Sequence, residues 1–402
     1  MKGRQMLNWG LSAPWVWRLA FACPFLFVFA LTGFDYPIHG DEATFYPITI
    51  QFGARALPPV QLLRSYEQSQ TPLMFFVFGL VGRAVGFDLW KLRVGVALLS
   101  YLTLLLFFHL CRTSSDSTKP WLSIYATAAL ALSPYYLGTS LYYYTDIPCL
   151  FAMMVALTLY LSDRPLGGAI AAGAAVLTRQ YSVFLPVAYV LTSMIMGKGR
   201  RRWRDLGRWT MLVLPFAMLV PLIVLWKGIS PQNHLREIVR QSGYVHPEFV
   251  NYLVLATGVY SLPLAILRTR EIFQRQRLLT VGLLTPLFWL AIPRPNPEVM
   301  NPLVKTLGYL DIALSKTFGD HKTIPYFLLW VLGCLILYEV FQIERYEAKK
   351  LILFAIVGFF LMHLFAPSVW DKYLLMVLPL VFLSLVRGHA KPVGFASAPY
   401  AP

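Results

Sequence analysis

Charge is scarce in this chain, and negative charge scarcest. Of 402 residues only 13% are Asp, Glu, Lys or Arg, and 19 acids face 35 Lys and Arg. A soluble domain carries about 25% charged residues, so a water-exposed globule is excluded. Cysteine is equally sparse: Cys23, Cys111, Cys149 and Cys334 stand alone, with no CxxC spacing. That excludes a disulfide framework and a zinc ribbon and leaves the four as packing residues. No small-residue cleavage site follows the first apolar segment, Trp15 to Leu31, which therefore reads as a retained helix rather than a signal peptide. What fills the chain instead is apolar: 57% of residues and a mean hydropathy of +0.58. The fold class expected is an all-α polytopic membrane protein. The net charge of +16 comes from basic residues in short loops, where they set topology and meet anionic headgroups. No nucleic-acid partner is indicated.

Further apolar runs follow at about Val94 to Leu110, Trp121 to Leu137, Ile147 to Leu161, Leu166 to Leu177, Tyr181 to Met196, Trp209 to Trp226, Asn251 to Leu267, Leu278 to Ile292, Ile324 to Phe341, Leu351 to Phe365 and Tyr373 to Val386. With the first segment these make about 12 candidate transmembrane helices, several shorter than the roughly 20 residues that cross a bilayer. One domain, residues 1–390, is expected, with residues 391–402 as a disordered tail. The most basic loop, Lys198 to Arg208, with Arg268 to Arg277 and Arg345 to Lys350, fixes the cytoplasmic side. Counting spans from a cytoplasmic N-terminus then puts the long first loop, about residues 34–91, on the other face. The same count places the turns at 142–146 and 178–180 and the loops at 228–250, 293–323 and 367–372 there. This parity requires that Leu73 to Phe87, which carries Arg83 and two glycines, lie along the interface as a juxtamembrane helix rather than cross.

The first outer loop opens on Phe34 to Pro47, FDYPIHGDEATFYP, with two adjacent carboxylates, Asp41 and Glu42. Two readings are open. Acids before an apolar run cap a helix; a carboxylate held at a lipid–water boundary can also act as a general base on a hydroxyl. Other polar residues share the face. In LYYYTDIP, Tyr144 and Asp146 either belong to an aromatic belt and an N-cap or wall a sugar site. Arg179, followed by Gln180, sits between two apolar runs, where an arginine is costly unless it faces a cavity or an anion. Asp320 and His321 precede a helix, a weak ligand pair. Lys372 stands at a helix mouth, able to snorkel or to grip a phosphate, and His234 lies in the loop 228–250.

A DE pair opening the first outer loop, then Thr71-Pro72, then the Arg-led span LRVGVALLSYLTLLLFF (Leu92 to Phe108), resembles the GT-C membrane glycosyltransferases that use polyprenyl-phosphate sugars. LYYYTDIPCLFAMMVAL and GAAVLTRQYSVFLP are similar to the dolichyl-phosphate-glucose alpha-1,2-glucosyltransferase family of lipid-linked oligosaccharide synthesis. The resemblance covers about Phe34 to Pro186. In WKGISPQNH, Ser230, Pro231 and Gln232 stand where that family carries an acid, which bears on the acceptor.

The resemblance implies a GT-C-like bundle and an inverting transfer of a hexose from a polyprenyl-phosphate donor to a hydroxyl of a glycan or glycolipid. Asp41, with Glu42 beside it, would be the catalytic base. Arg179 and Lys372, then Arg55, Arg64 and Arg93, would hold the donor phosphate; Tyr144, Asp146, Gln180, His234, Asp320 and His321 would bind sugar or acceptor. No cofactor is indicated; a divalent metal is compatible with the acids but not signalled. The site would be extracytoplasmic, in the plasma membrane of a bacterium or the endoplasmic reticulum membrane of a eukaryote. The alternative is a twelve-helix secondary transporter, although neither related halves nor midplane charges are visible.

Overall fold

A computed structural model describes residues 14–66, 68–114, 119–162, 164–196, 212–228, 231, 245–294, 308–345, 350–366 and 369–390. Among these the ordered elements are all helical. Each of the twelve apolar runs is mainly helical where it is described, broken in places by short turns, because apolar side chains in a lipid setting leave the backbone no partner but itself. Length is where the expectation changes. Among the described residues only Trp15–Thr32, Leu89–Ser114 and Tyr309–Glu344 are long and apolar enough to span alone, and up to five spans result if two bent pairs each count once. The remainder are helices of 10–17 residues.

The breaks have local causes. Ser133 is extended and accepts the Tyr136 N–H at its hydroxyl, and Pro134 opens helix α1, Pro134–Leu141. Extended Tyr142 ends it, and the chain bends by 112° into α2, Asp146–Leu161. The run Trp121 to Leu137 is thus two helices, and the bend sets Asp146 at a helix entrance. Pro148 is tolerated there because its missing N–H falls in the first turn.

Two close approaches hold the helices together. Gly53 on Glu42–Gly53 meets Gly79 on Leu73–Val85: a Cβ at Gly79 would stand 2.7 Å from the Gly53 nitrogen. Leu73–Val85 buries Met74, Phe75, Phe78, Gly79 and Gly82 and leaves Val77, Leu80, Val81 and Val85 exposed. One face is protein-packed and the other free for lipid, the pattern a juxtamembrane helix needs. In the C-terminal half, Gly258 and Gly333 bring Pro247–Tyr260 and Thr323–Glu344 into backbone contact, with Gly333 against the Val254 carbonyl. Small residues at such crossings are the usual device where the hydrophobic effect cannot drive helix association.

Leu89–Ser114 fixes the scale. Near its start Arg93 pairs with Glu42; at its end the Ser114 hydroxyl accepts a hydrogen bond from Arg387. At 1.5 Å per residue those points are about 32 Å apart, close to the thickness of a hydrocarbon core. Arg387 also meets Glu344; Arg268 and Arg277 share Glu339 five residues earlier on the same helix. The loop arginines 268 and 277 therefore associate with the far end of the bundle.

Candidate active site

Asp41 and Glu42 have separate fates. Gly40, with φ of +55°, turns the chain sharply into the helix that begins at Glu42. Glu42 points inward and is fully buried. Its Oε1 accepts Arg93 Nε at 2.9 Å and the Tyr143 N–H at 2.6 Å; its Oε2 accepts Arg93 Nη2 at 2.6 Å and the His39 N–H at 3.0 Å. Four donors saturate this carboxylate. The bond from His39 lies ahead of the helix and ties down the loop rather than capping it, and the N-cap, Asp41, makes no side-chain cap bond.

Arg93 is equally committed. Besides Glu42 it donates to the carbonyls of Phe34, Tyr36 and Pro37, so all five of its N–H donors are used. Its guanidinium lies 3.9 Å from the Tyr36 ring centroid, and it is 1% exposed. The expectation that Arg93 holds a donor phosphate is corrected: it staples the loop 34–42 to Leu89–Ser114, with no donor left for a ligand.

Asp41 stays at the surface of this staple, its side chain 24% exposed, and receives Lys372 Nζ at 3.3 Å. Lys372 comes from the 3₁₀ helix Asp371–Met376. Beside them Arg179, which ends Pro165–Thr178 in extended conformation, donates Nη2 to Asp146 at 2.6 Å, Nε to Thr145 Oγ1 at 2.6 Å and Nη1 to the Tyr181 hydroxyl at 2.8 Å. Burial raises the Asp41 pKa, but Lys372, Arg179 and, more weakly, His39 together outweigh it, and the carboxyl is held below its ordinary value. Burial lowers the Lys372 pKa, yet Asp41 and Asp146 carry it above the ordinary lysine value. Both groups are therefore ionised at neutral pH. Two acids and two bases, from four stretches separated by up to 331 residues, form one balanced centre.

The remaining expected residues divide. Tyr144 is buried and donates its hydroxyl to the His39 carbonyl, stacking on Tyr142 at 5.9 Å; both frame the Asp41 loop. Gln180 Nε2 donates to the Ser69 carbonyl, tying the Arg179 turn to the start of Leu73–Val85. Asp146, expected at the sugar, is buried and paired with Arg179 at 2.6 Å. Arg55 and Arg64 are exposed and share no ion pair with the centre. Asp320 and His321 are exposed on the turn Gly319–Lys322, whose Lys322 pairs with Asp311 instead. They too stand outside the centre. His234 lies outside the described residues. Among the described residues no three His, Cys, Asp or Glu gather as a metal set. Sequence reading missed His39, Tyr181 and Asp371; the first two lie within two residues of Asp41 and Arg179, the only signal they gave.

Among curated proteins, no sequence matches the chain closely enough to count as a relative. Two solved structures are similar at low identity. ArnT from Cupriavidus metallidurans in the apo state shares 18% identity with a TM-score of 0.39, over 94% of this chain and 78% of that one. The same protein bound to undecaprenyl phosphate gives 17% and 0.40, with the same coverage. Residues 69–226, which include Arg93, Asp146 and Arg179, match the family model described as dolichyl-phosphate-mannose-protein mannosyltransferase.

Proposed function

We propose that this chain is a GT-C glycosyltransferase that moves a hexose, with inversion, from a polyprenyl-phosphate sugar to a hydroxyl of a glycan or glycolipid. One observation carries the reading: a partly exposed carboxylate, Asp41, is ion-paired at 3.3 Å with the buried Lys372 in the field of the buried Arg179. The matching family model supports a donor of the dolichyl-phosphate-sugar class, and the sequence resemblance favours glucose. Asp41 takes the proton of the acceptor hydroxyl as its oxygen bonds to the anomeric carbon. The bond from that carbon to the phosphate oxygen breaks, and the lipid phosphate leaves with the electron pair. Its developing charge needs cations already in place, which Lys372 and Arg179 supply.

The ion pair makes the base substrate-dependent. With Lys372 on Asp41 the carboxylate is a weak base; a phosphate that draws the ammonium away raises its basicity toward what proton abstraction requires. The position of the centre also favours chemistry over carriage. Transporter sites sit near the bilayer midplane, whereas this one is at the end of a helix whose other end, about 32 Å away by helical rise, meets the arginine cluster. That cluster gathers two loops rich in positive charge, which supports a cytoplasmic assignment for it and an extracytoplasmic one for Asp41.

The test is a panel of polyprenyl-phosphate hexoses presented to the purified protein with glycolipid acceptors, following release of lipid phosphate. Release that is lost in Asp41→Asn supports the proposal; equal release from both proteins removes Asp41 as base, and vectorial uptake without release would favour a carrier.

A further inference from the structure

Lys372 is held in place by its neighbour. Asp371 opens the same 3₁₀ helix, is fully buried, and points away from the charged centre; with three residues per turn, adjacent side chains diverge. Its Oδ2 accepts the Leu310 N–H at 3.1 Å and the Tyr260 hydroxyl at 3.0 Å, while its Oδ1 is buried without a hydrogen-bond partner. Leu310 is the second residue of the helix Tyr309–Phe318, whose N-cap, Gly308, offers no side chain. The N–H of the first residue, Tyr309, is taken by the Tyr135 hydroxyl at 3.0 Å. Two of the helix's open donors are thus satisfied by residues from other elements, and a carboxylate suits the positive end of a helix. Tyr135 packs its ring on both Tyr260 and Tyr309 at 5.6 Å.

We propose that Asp371 is a positioning residue for the Lys372–Asp41 pair: it clamps the 3₁₀ turn to the Tyr309–Phe318 helix and to Tyr260, and so sets where the Lys372 ammonium stands. The inference rests on the reading of Asp41 as base only for its kinetic consequence, not for the clamp itself. The charged and titratable groups around the pair are Arg179, Asp146, His39 and Tyr373; those around Asp371 are Tyr135, Tyr252, Tyr260, Tyr309 and Tyr326.

The test compares wild type, Asp371→Ala, Asp371→Asn and Tyr260→Phe in the full-length membrane-reconstituted protein. Competitive amine acylation with mass-spectrometric readout gives the reactivity of Lys372 against pH, independently of any activity. In Asp371→Ala the ammonium leaves Asp41, and Lys372 labelling at fixed pH rises roughly tenfold, one pKa unit's worth. Asp371→Asn keeps an oxygen for Leu310 and Tyr260 and stays near wild type. Where the Ala variant fails to fold, Tyr260→Phe, which removes one bond, gives a smaller rise in the same direction. Unchanged Lys372 reactivity in a folded Ala or Phe variant overturns the proposal, as does a rise in the Asn variant equal to that in Ala. With an active donor in hand, the acid limb of the rate moves up by about one pH unit in Asp371→Ala; a fall in rate with no such movement also overturns it. Absence of turnover in wild type would sink the glycosyltransferase reading while leaving the labelling result to decide the clamp.

Discussion

Replacing Glu42 by Gln leaves the Arg93 guanidinium at 1% exposure without the one carboxylate that pairs with it among the described residues. Glu42 takes four hydrogen bonds, two from this cation, and a neutral amide offers one acceptor oxygen where two were used. Breaking a buried pair from one side costs about 3–5 kcal/mol, a large part of the roughly 5–15 kcal/mol that holds a domain together. Asp41→Asn removes one 3.3 Å contact on a partly exposed side chain, and the buried Lys372 keeps Asp146 as a nearby opposite charge, so its cost should stay below that of opening the fully buried Glu42 pair. As a base, however, Asp41 should carry a rate factor of about 100 to 10,000. Thermal unfolding in detergent and donor turnover, measured on both variants, should therefore dissociate. Glu42→Gln loses stability and yield, while Asp41→Asn stays closer to the wild-type melting temperature and loses turnover. A Glu42→Gln protein as stable as wild type would refute the staple, and an Asp41→Asn protein with wild-type turnover would refute the base.

Lys372→Met removes the largest cation acting on Asp41, so the Asp41 pKa rises and the acid limb of the rate moves to higher pH; a limb that stays put would show that the ammonium does not act on the base. The sign for stability follows: a carboxyl depressed in the folded state stabilises above its unfolded pKa of about 3.9 and loses that contribution as pH falls through the folded value. The gap in unfolding stability between wild type and Asp41→Asn should therefore be at its full size above about pH 4 and close as pH falls below it. Arg179→Lys keeps charge but not the fork that reaches Thr145, Asp146 and Tyr181, so the donor KM should rise by tenfold or more, since a point charge cannot replace planar recognition; an unchanged KM would free Arg179 of the donor. Gly333→Val drives a side chain into the Val254 carbonyl and should cost about 1–3 kcal/mol, read as a lower melting temperature; wild-type stability would mean the two helices part at no cost.

Much of the scaffold was legible because it rests on local composition. Every apolar run became mainly helix where described, and the basic segment 268–277 fell in with the far cluster. The span lengths were not legible: the break at Ser133-Pro134 and the 112° bend before Asp146 interrupt a hydropathy that reads as continuous. Loop charge led to the expectation of one face for Asp41, Asp146, Arg179 and Lys372, and the structure places these four side chains near one another. Arg93 misled, since an arginine at a helix start looks alike whether it awaits a ligand or is spent on a carboxylate 51 residues away.

Composition and pattern along the chain were enough to make it apolar and helical with its unusual polar residues at the ends of its runs, because solvent preference and helix formation act over a few neighbouring residues. Folding settled which of two adjacent acids stays partly exposed. Asp41 and Glu42 have the same chemistry and nearly the same address; Arg93 saturates one and Lys372, 331 residues on, leaves the other partly exposed. That division depends on long-range ion pairing through the folded chain, which no local pattern encodes.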